Sequence, residues 1–138
     1  MGPEEIIKSV KSLKLPKDSF IVYGSCPMAL AGIRKAGDID LYVTTDTLEE
    51  LKKRGWKLVV KGIKDTPLVY GVFEAHDNWE FSEYKPTFLE LLSRADLVEG
   101  IPFASLEDVR KWKLASDNPK FARDVELIDG YYSAIKPK

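Results

Sequence analysis

The sequence predicts an α+β protein in a single domain over residues 1–138, with strands mixed among short helices to residue 85 and a helical part over 86–138. Two observations carry that expectation. Up to Tyr84, short apolar stretches alternate with polar residues or are cut by glycine, as strands are. From Pro86 onward, apolar residues recur at helical spacing. A chain of 138 residues can bury one real core, and no repeat or linker divides it.

Residues 3–13 read as a short helix, with Pro3 near its start, Ile6, Val10 and Leu13 on one side, and Pro16-Lys17-Asp18 ending it. Phe20-Ile21-Val22-Tyr23 is a short apolar strand, cut off by Gly24-Ser25. Cys26–Ala31 fits a short helix capped by Ser25 and opened by Pro27. Gly32 and Gly37 bracket a turn holding Arg34 and Lys35. Ile39, Leu41 and Val43 then alternate with Asp38, Asp40 and Tyr42, which predicts a strand. Asp46 and Glu49 can form a capping box for a helix through Lys53, stopped by Gly55.

Trp56–Val60 reads as a third strand, and Leu68–Ala75 and Trp79–Tyr84 as two more joined by the turn His76-Asp77-Asn78. Beyond Pro86, Phe88, Leu91, Leu92 and Ala95 share one helical face. Ser105 caps a second helix, with Leu106 and Val109 inward. Asn118-Pro119 starts a third, whose core side is Phe121, Val125, Ile128 and Tyr132.

Composition narrows the chemistry. Lys and Arg number 21 against 22 Asp and Glu, so a broad nucleic-acid surface has no excess of positive charge to draw on. A single cysteine, Cys26, excludes an internal disulfide or a Cys-rich zinc site, and a single histidine, His76, excludes a multi-histidine zinc centre. A metal site would therefore be built from oxygen, which suits Mg²⁺ or Mn²⁺. No apolar stretch approaches the roughly 20 residues of a bilayer span. The N-terminus lacks the basic flank and apolar run of a secretory signal, so the cytoplasm is the expected location.

Asp38-Ile39-Asp40 is the sharpest local feature. On a strand, residues i and i+2 share a face, so the two carboxylates project together while Ile39 and Leu41 enter the core. Like charges held that close raise at least one pKa unless a cation neutralises them. A divalent metal between the carboxylates and substrate phosphates supplies such a cation. Taken alone, Asp-x-Asp also fits a solvated strand. The Gly24-Ser25 turn adds to it, because a glycine permits close approach of the main chain to a phosphate and the serine hydroxyl can donate to it.

Val22-Tyr23-Gly24-Ser25, followed by Gly32-Ile33-Arg34-Lys35-Ala36-Gly37-Asp38-Ile39-Asp40-Leu41-Tyr42-Val43, resembles the signature of the nucleotidyltransferase superfamily that includes DNA polymerase beta. The later stretches Glu99-Gly100-Ile101-Pro102, Ser105–Val109, Lys113-Leu114 and Pro119–Val125 resemble the tail of small members near the AbiEii toxin and MNT-type antitoxin groups. The resemblance implies a nucleotidyltransferase fold, a mixed sheet backed by helices. It implies a nucleoside triphosphate as substrate, held by Gly24 and Ser25, with Mg²⁺ bound by Asp38 and Asp40. A third acidic residue is expected on a neighbouring strand, where Glu80 between Trp79 and Phe81 fits best and Glu74 between Phe73 and Ala75 comes second. That carboxylate would bind metal and could accept the acceptor's proton.

Arg34 and Lys35 are candidates to pair with the triphosphate, the alternative being ordinary exposed loop charges. Lys113 lies four residues after Val109 on the apolar side of its helix, where it can reach phosphates, the carboxylate cluster, or Asp124 in a salt bridge. His76, in a turn, is expected to carry no chemistry, and Cys26 has no histidine neighbour in sequence to activate it. The expected activity is transfer of a nucleotidyl group to an acceptor that is RNA, protein or a small molecule. The alternatives are a nucleotide-binding regulatory module with little turnover, or an MNT-like antitoxin acting with a toxin partner. At this length a homo-oligomer could complete the cleft.

Overall fold

The computed structural model describes residues 1–63, 65–78, 83–116 and 119–135. In chain order it holds α1 (Pro3–Ser12), β1 (Phe20–Tyr23), α2 (Cys26–Leu30), β2 (Ile39–Val43), α3 (Thr45–Lys53), β3 (Lys57–Leu58), β4 (Leu68–Tyr70) and β5 (Phe73–His76). These are followed by α4 (Phe88–Arg94), β6 (Asp96–Val98), β7 (Ile101–Phe103), α5 (Leu106–Ala115) and α6 (Lys120–Ile135). The strands form one mixed sheet in the order β3-β4-β5-β2-β1-β7-β6. β1 runs antiparallel to β2 and parallel to β7, while β2 runs parallel to β5.

Strand alternation divides the core into two halves. Phe20 and Val22 of β1, Ile39, Leu41 and Val43 of β2, and Phe73 and Ala75 of β5 face one side, where Ile6 and Val10 of α1 and Leu51 of α3 cover them. Ile21 and Tyr23 of β1 and Tyr42 of β2 face the other, against Leu91 of α4, Val109 and Trp112 of α5 and Ile128 of α6. Buried on both faces, β1 reads as a continuous apolar run, as central strands do. Asp38, Asp40, Glu74 and His76 belong to the second face by the same alternation, as the pairings Asp40↔Glu74 and Tyr42↔His76 require.

Three expectations change, and a fourth lies mostly outside the described residues. Leu68–Ala75 is a tight hairpin of β4 and β5 rather than one strand, because Gly71 takes a left-handed φ of 56° and turns the chain back. The Trp79–Tyr84 strand falls mostly on residues outside those described; Glu83 and Tyr84, which are described, are not in a strand. The part after residue 86 is not all helical: β6 and β7 form a hairpin through Glu99 and Gly100, both at positive φ. That geometry is the two-residue turn favoured between twisted strands, and β7 extends the sheet beside β1. Finally, α3 is capped by the Thr44 hydroxyl, which accepts from the Thr47 amide, instead of by an Asp46–Glu49 box. Gly55 follows its last turn at φ 94°.

Candidate functional site

The Asp-x-Asp pair sits where β2 begins. Asp38 precedes the strand, and the Ile39 amide donates to the Val72 carbonyl in the β4–β5 turn at 2.8 Å, fixing that entry against the hairpin. β5 then runs parallel to β2 with Glu74 directly beside Asp40. One carboxylate oxygen from each of Asp38, Asp40 and Glu74 lies within 4.8 Å of the others. Glu74 is the third carboxylate that the described residues bring to the pair. Glu80 lies outside them.

The preference for Glu80 followed from placing the hairpin turn at His76-Asp77-Asn78. With the turn at Gly71, the strand beside β2 is Phe73–His76, and the acid flanked by inward apolar residues is Glu74. The cue was present in the sequence as Phe73-Glu74-Ala75, the same apolar-acid-apolar pattern as Ile39-Asp40-Leu41.

Gly24 has a use more specific than access for a phosphate. It ends β1 at φ 71°, and a Cβ built on it would lie 2.0 Å from an Asp40 carboxylate oxygen. No other residue leaves Asp40 that space, and the left-handed φ favours glycine independently. Ser25, buried next to it, occupies the cap position of α2 but makes no capping bond with its side chain. Because α2 has only five residues, it lends little dipole to an anion, and positive charge at the site must come from side chains.

These groups line one cavity of about 400 Å³. Its floor is Gly24, Ser25, Asp38, Asp40 and Glu74, and its cations are Arg34, Lys61 and Lys113. Lys35 is exposed and does not line it. Lys61 forms an ion pair with Glu74. Lys113 is buried and bonds Asp124 of α6 at 2.8 Å, while Arg34 reaches the other oxygen of Asp124 at 3.0 Å. The Lys113 ammonium also sits 4.1 Å from the ring centre of Phe121 and 4.8 Å from that of Trp112. Burial lowers its pKa, against the pull of Asp124. Of the alternatives for Lys113 the structure shows the salt bridge to Asp124, at a position that also lines the cavity.

Lys61, Asp65 and His76 join the site without a sequence motif. Lys61 enters it because Lys57, Val59 and Lys61 fall on the carboxylate face of the sheet edge, an alternation legible only once β3 is paired with β4. His76 ends β5 two residues after Glu74, and its Nε2 lies 2.9 Å from an oxygen of Asp65.

The three carboxylates carry more negative charge than the chain compensates. Burial, a hydrogen bond with Glu74 and the repulsion of its charge push Asp38 up to about 6. Burial and the charges of Asp38 and Glu74 raise Asp40 well above the ordinary carboxylate range. Glu74, despite its own burial, is held below the usual value by hydrogen bonds from Asp38 and Lys61, so it is the ionised member of the pair it makes with Asp38. Burial and the neighbouring Asp40 and Asp38 also push the Cys26 thiol up to about 12, which leaves it protonated and unsuited to act as a nucleophile.

Comparison with protein-family models, curated proteins and solved structures returned no match. The chemistry of the site is therefore read from its own donors. Three converging carboxylates with no nitrogen or sulfur among them form a hard oxygen set that could hold a cation, and a cation there would offset the charge that raises Asp38 and Asp40.

Proposed function

We propose that this chain is a metal-dependent nucleotidyltransferase of the polymerase-beta-like kind, acting on a nucleoside triphosphate held in the carboxylate cavity. The observation that carries the reading is the convergence of Asp38, Asp40 and Glu74 beside the Gly24-Ser25 turn, in a cavity that also presents Arg34, Lys61 and Lys113. Acids that hold a cation and bases that meet phosphate oxygens have to share a site if both a metal and a triphosphate are bound. The mixed seven-stranded sheet with helices on both faces is consistent with the nucleotidyltransferase fold.

In this reading Asp38, Asp40 and Glu74 hold Mg²⁺, which when bound neutralises charge on the phosphate oxygens. Ser25 donates its hydroxyl to the triphosphate, and Arg34 and Lys113 pair with it in exchange for Asp124. An acceptor hydroxyl attacks the α-phosphorus in line. A bond forms from the acceptor oxygen to phosphorus, the bond to the bridging oxygen breaks, and pyrophosphate leaves with that electron pair. The acceptor's proton passes to a carboxylate of the cluster.

One observation favours the second reading, a nucleotide-binding module with little turnover: both Arg34 and Lys113 are already engaged by Asp124. Release of pyrophosphate from a labelled triphosphate in the presence of an RNA, protein or small-molecule acceptor separates the two, since only the enzyme catalyses it. The site itself is tested by melting. Mg²⁺ with a nonhydrolysable triphosphate is expected to raise the melting temperature, by the equivalent of about 2.7 kcal/mol at a hundredfold excess over Kd. Asp40→Asn is expected to remove the shift. No shift in the unmodified protein would sink the proposal.

A further inference from the structure

Among the described residues, the outermost strand at one side of the sheet is β3. Its pairing with β4 continues past the strand, with the Val59 amide donating to the Pro67 carbonyl at 3.0 Å and the Lys61 amide to the Asp65 carbonyl at 2.8 Å. In an antiparallel pair the residues between those points turn their N–H and C=O groups away from the partner, so Leu58 and Val60 present theirs at the free edge. Their side chains lie on the face of buried Leu68, yet are 64% and 74% exposed. Tyr70, stacked on Trp56 and 57% exposed, extends the same apolar ledge. The opposite face of the edge carries Lys57, which is exposed, and Lys61, whose charge is already paired with Glu74. The sequence from Leu51 to Lys64 holds six basic residues and no acid, in a chain of net charge -1, with Lys52 and Arg54 paired to Glu49 and Glu50.

We propose that this edge docks an extended segment of a partner protein that alternates apolar and acidic residues, added as an eighth strand beside β3. Such a strand would complete the outward hydrogen bonds of Leu58 and Val60, lay its apolar residues over the Leu58–Val60–Tyr70 ledge, and set an acid beside Lys57. Charge decides against a second copy of this chain. The two-fold register that engages Leu58 and Val60 of both copies centres on Val59 and puts Lys57 of one opposite Lys61 of the other, so that Lys57 meets a lysine, itself paired with Glu74, where it needs an acid. The aliphatic ledge and the unpaired edge favour a polypeptide over RNA, which would ask for phosphate contacts and stacking platforms.

The test measures binding of a fluorescent peptide alternating isoleucine and glutamate to the full chain, beside one alternating isoleucine and lysine and a single-stranded oligouridylate. The acidic peptide is expected to bind saturably and better than the other two, and to slow amide hydrogen exchange at Leu58 and Val60. Lys57→Glu, an exposed substitution, is expected to weaken it by up to about fivefold, the scale of one cross-strand charge pair, and to favour the lysine peptide. Val60→Pro, which removes an outward N–H, is expected to abolish binding. Equal binding of both peptides, binding without protection at Leu58 and Val60, or a Lys57-dependent preference for oligouridylate would each overturn the proposal. So would self-association that Val60→Pro dissolves. None of these readouts involves nucleotide, so they stand or fall separately from the cavity.

Discussion

Asp40 and Asp108 both serve the α4–α6 side of the sheet, and the protein treats them in opposite ways. Asp108, 1% exposed, receives Arg94 at both oxygens at 3.0 and 2.9 Å, Ser105 Oγ at 2.9 Å, and the Tyr84 hydroxyl. Although burial alone would raise its pKa, those donors hold it below the ordinary carboxylate value. Asp40 faces two further carboxylates, and its pKa is raised. A satisfied buried acid ties elements together: Asp108 pins α5 to Arg94 at the end of α4 and to Tyr84 before it. An under-compensated acid costs stability, and proteins keep such groups where a ligand can supply the missing charge.

Removing each acid is the most direct way to break that comparison. Asp108→Ala is expected to destabilise the protein by about 3 kcal/mol, near the lower end for a broken buried pair, because Arg94 is 44% exposed on its side chain and can turn to water. Asp40→Asn is expected to act with the opposite sign, stabilising the metal-free chain by on the order of 1 kcal/mol as a repelling charge disappears. Urea unfolding of the two variants without divalent metal measures both. Losses of similar size in the two would show that Asp40 is compensated after all.

The pH dependence sharpens the same contrast. The Asp38 value rises from 3.8 to about 6 on folding, so the folded chain binds its proton more tightly than the unfolded chain. The resulting stability is present at low pH and is lost as pH rises from about 4 to about 6. Asp108 works the other way: its stabilisation is present above its unfolded pKa and lost as pH falls through the lowered folded value. Unfolding curves across this range without metal should therefore show a fall between pH 4 and 6 that Asp38→Asn makes shallower, leaving the contribution of the raised Asp40, and that saturating Mg²⁺ flattens. An identical profile in Asp38→Asn would mean that the acid is not perturbed by its neighbours.

How much of this was legible in the sequence depends on how local the cause is. β1 and β2 follow from residue pattern alone, since Phe20–Tyr23 is apolar throughout and Ile39–Val43 alternates. The Ser105 cap and the α5 face follow from local rules as well. The β6–β7 hairpin was missed because three-residue strands carry almost no periodicity, and their identity is set by pairing with β1. At the site, Asp38, Asp40, Gly24 and Ser25 were readable from spacing. The choice of Glu74 turned on a single glycine turn at Gly71, and Lys61 depended on a register that no local pattern states. Asp108 itself was read only as part of a helix start, because its partners Arg94 and Tyr84 lie 14 and 24 residues away in sequence.

The smallest effect distinguishes the two regions through one residue type. Ser105 and Ser25 both stand at helix N-caps. Ser105 Oγ accepts from the Asp108 amide at 3.1 Å and donates to the Asp108 carboxylate, so Ser105→Ala is expected to cost about 1 kcal/mol. Ser25 makes no such bond and its helix has five residues, so Ser25→Ala is expected to leave unfolding unchanged within about 0.5 kcal/mol. Titration of each variant with a nonhydrolysable triphosphate and Mg²⁺ should reverse the ranking. Ser105→Ala keeps the affinity of the unmodified chain, and Ser25→Ala weakens it by about the worth of one hydrogen bond to a charged group, roughly tenfold. A serine that adds nothing to stability and something to affinity is a residue placed for a ligand. If Ser25→Ala proves as costly to folding as Ser105→Ala, the cavity floor is held together by the same satisfied bonding as the Asp108 network, and the contrast between the regions fails.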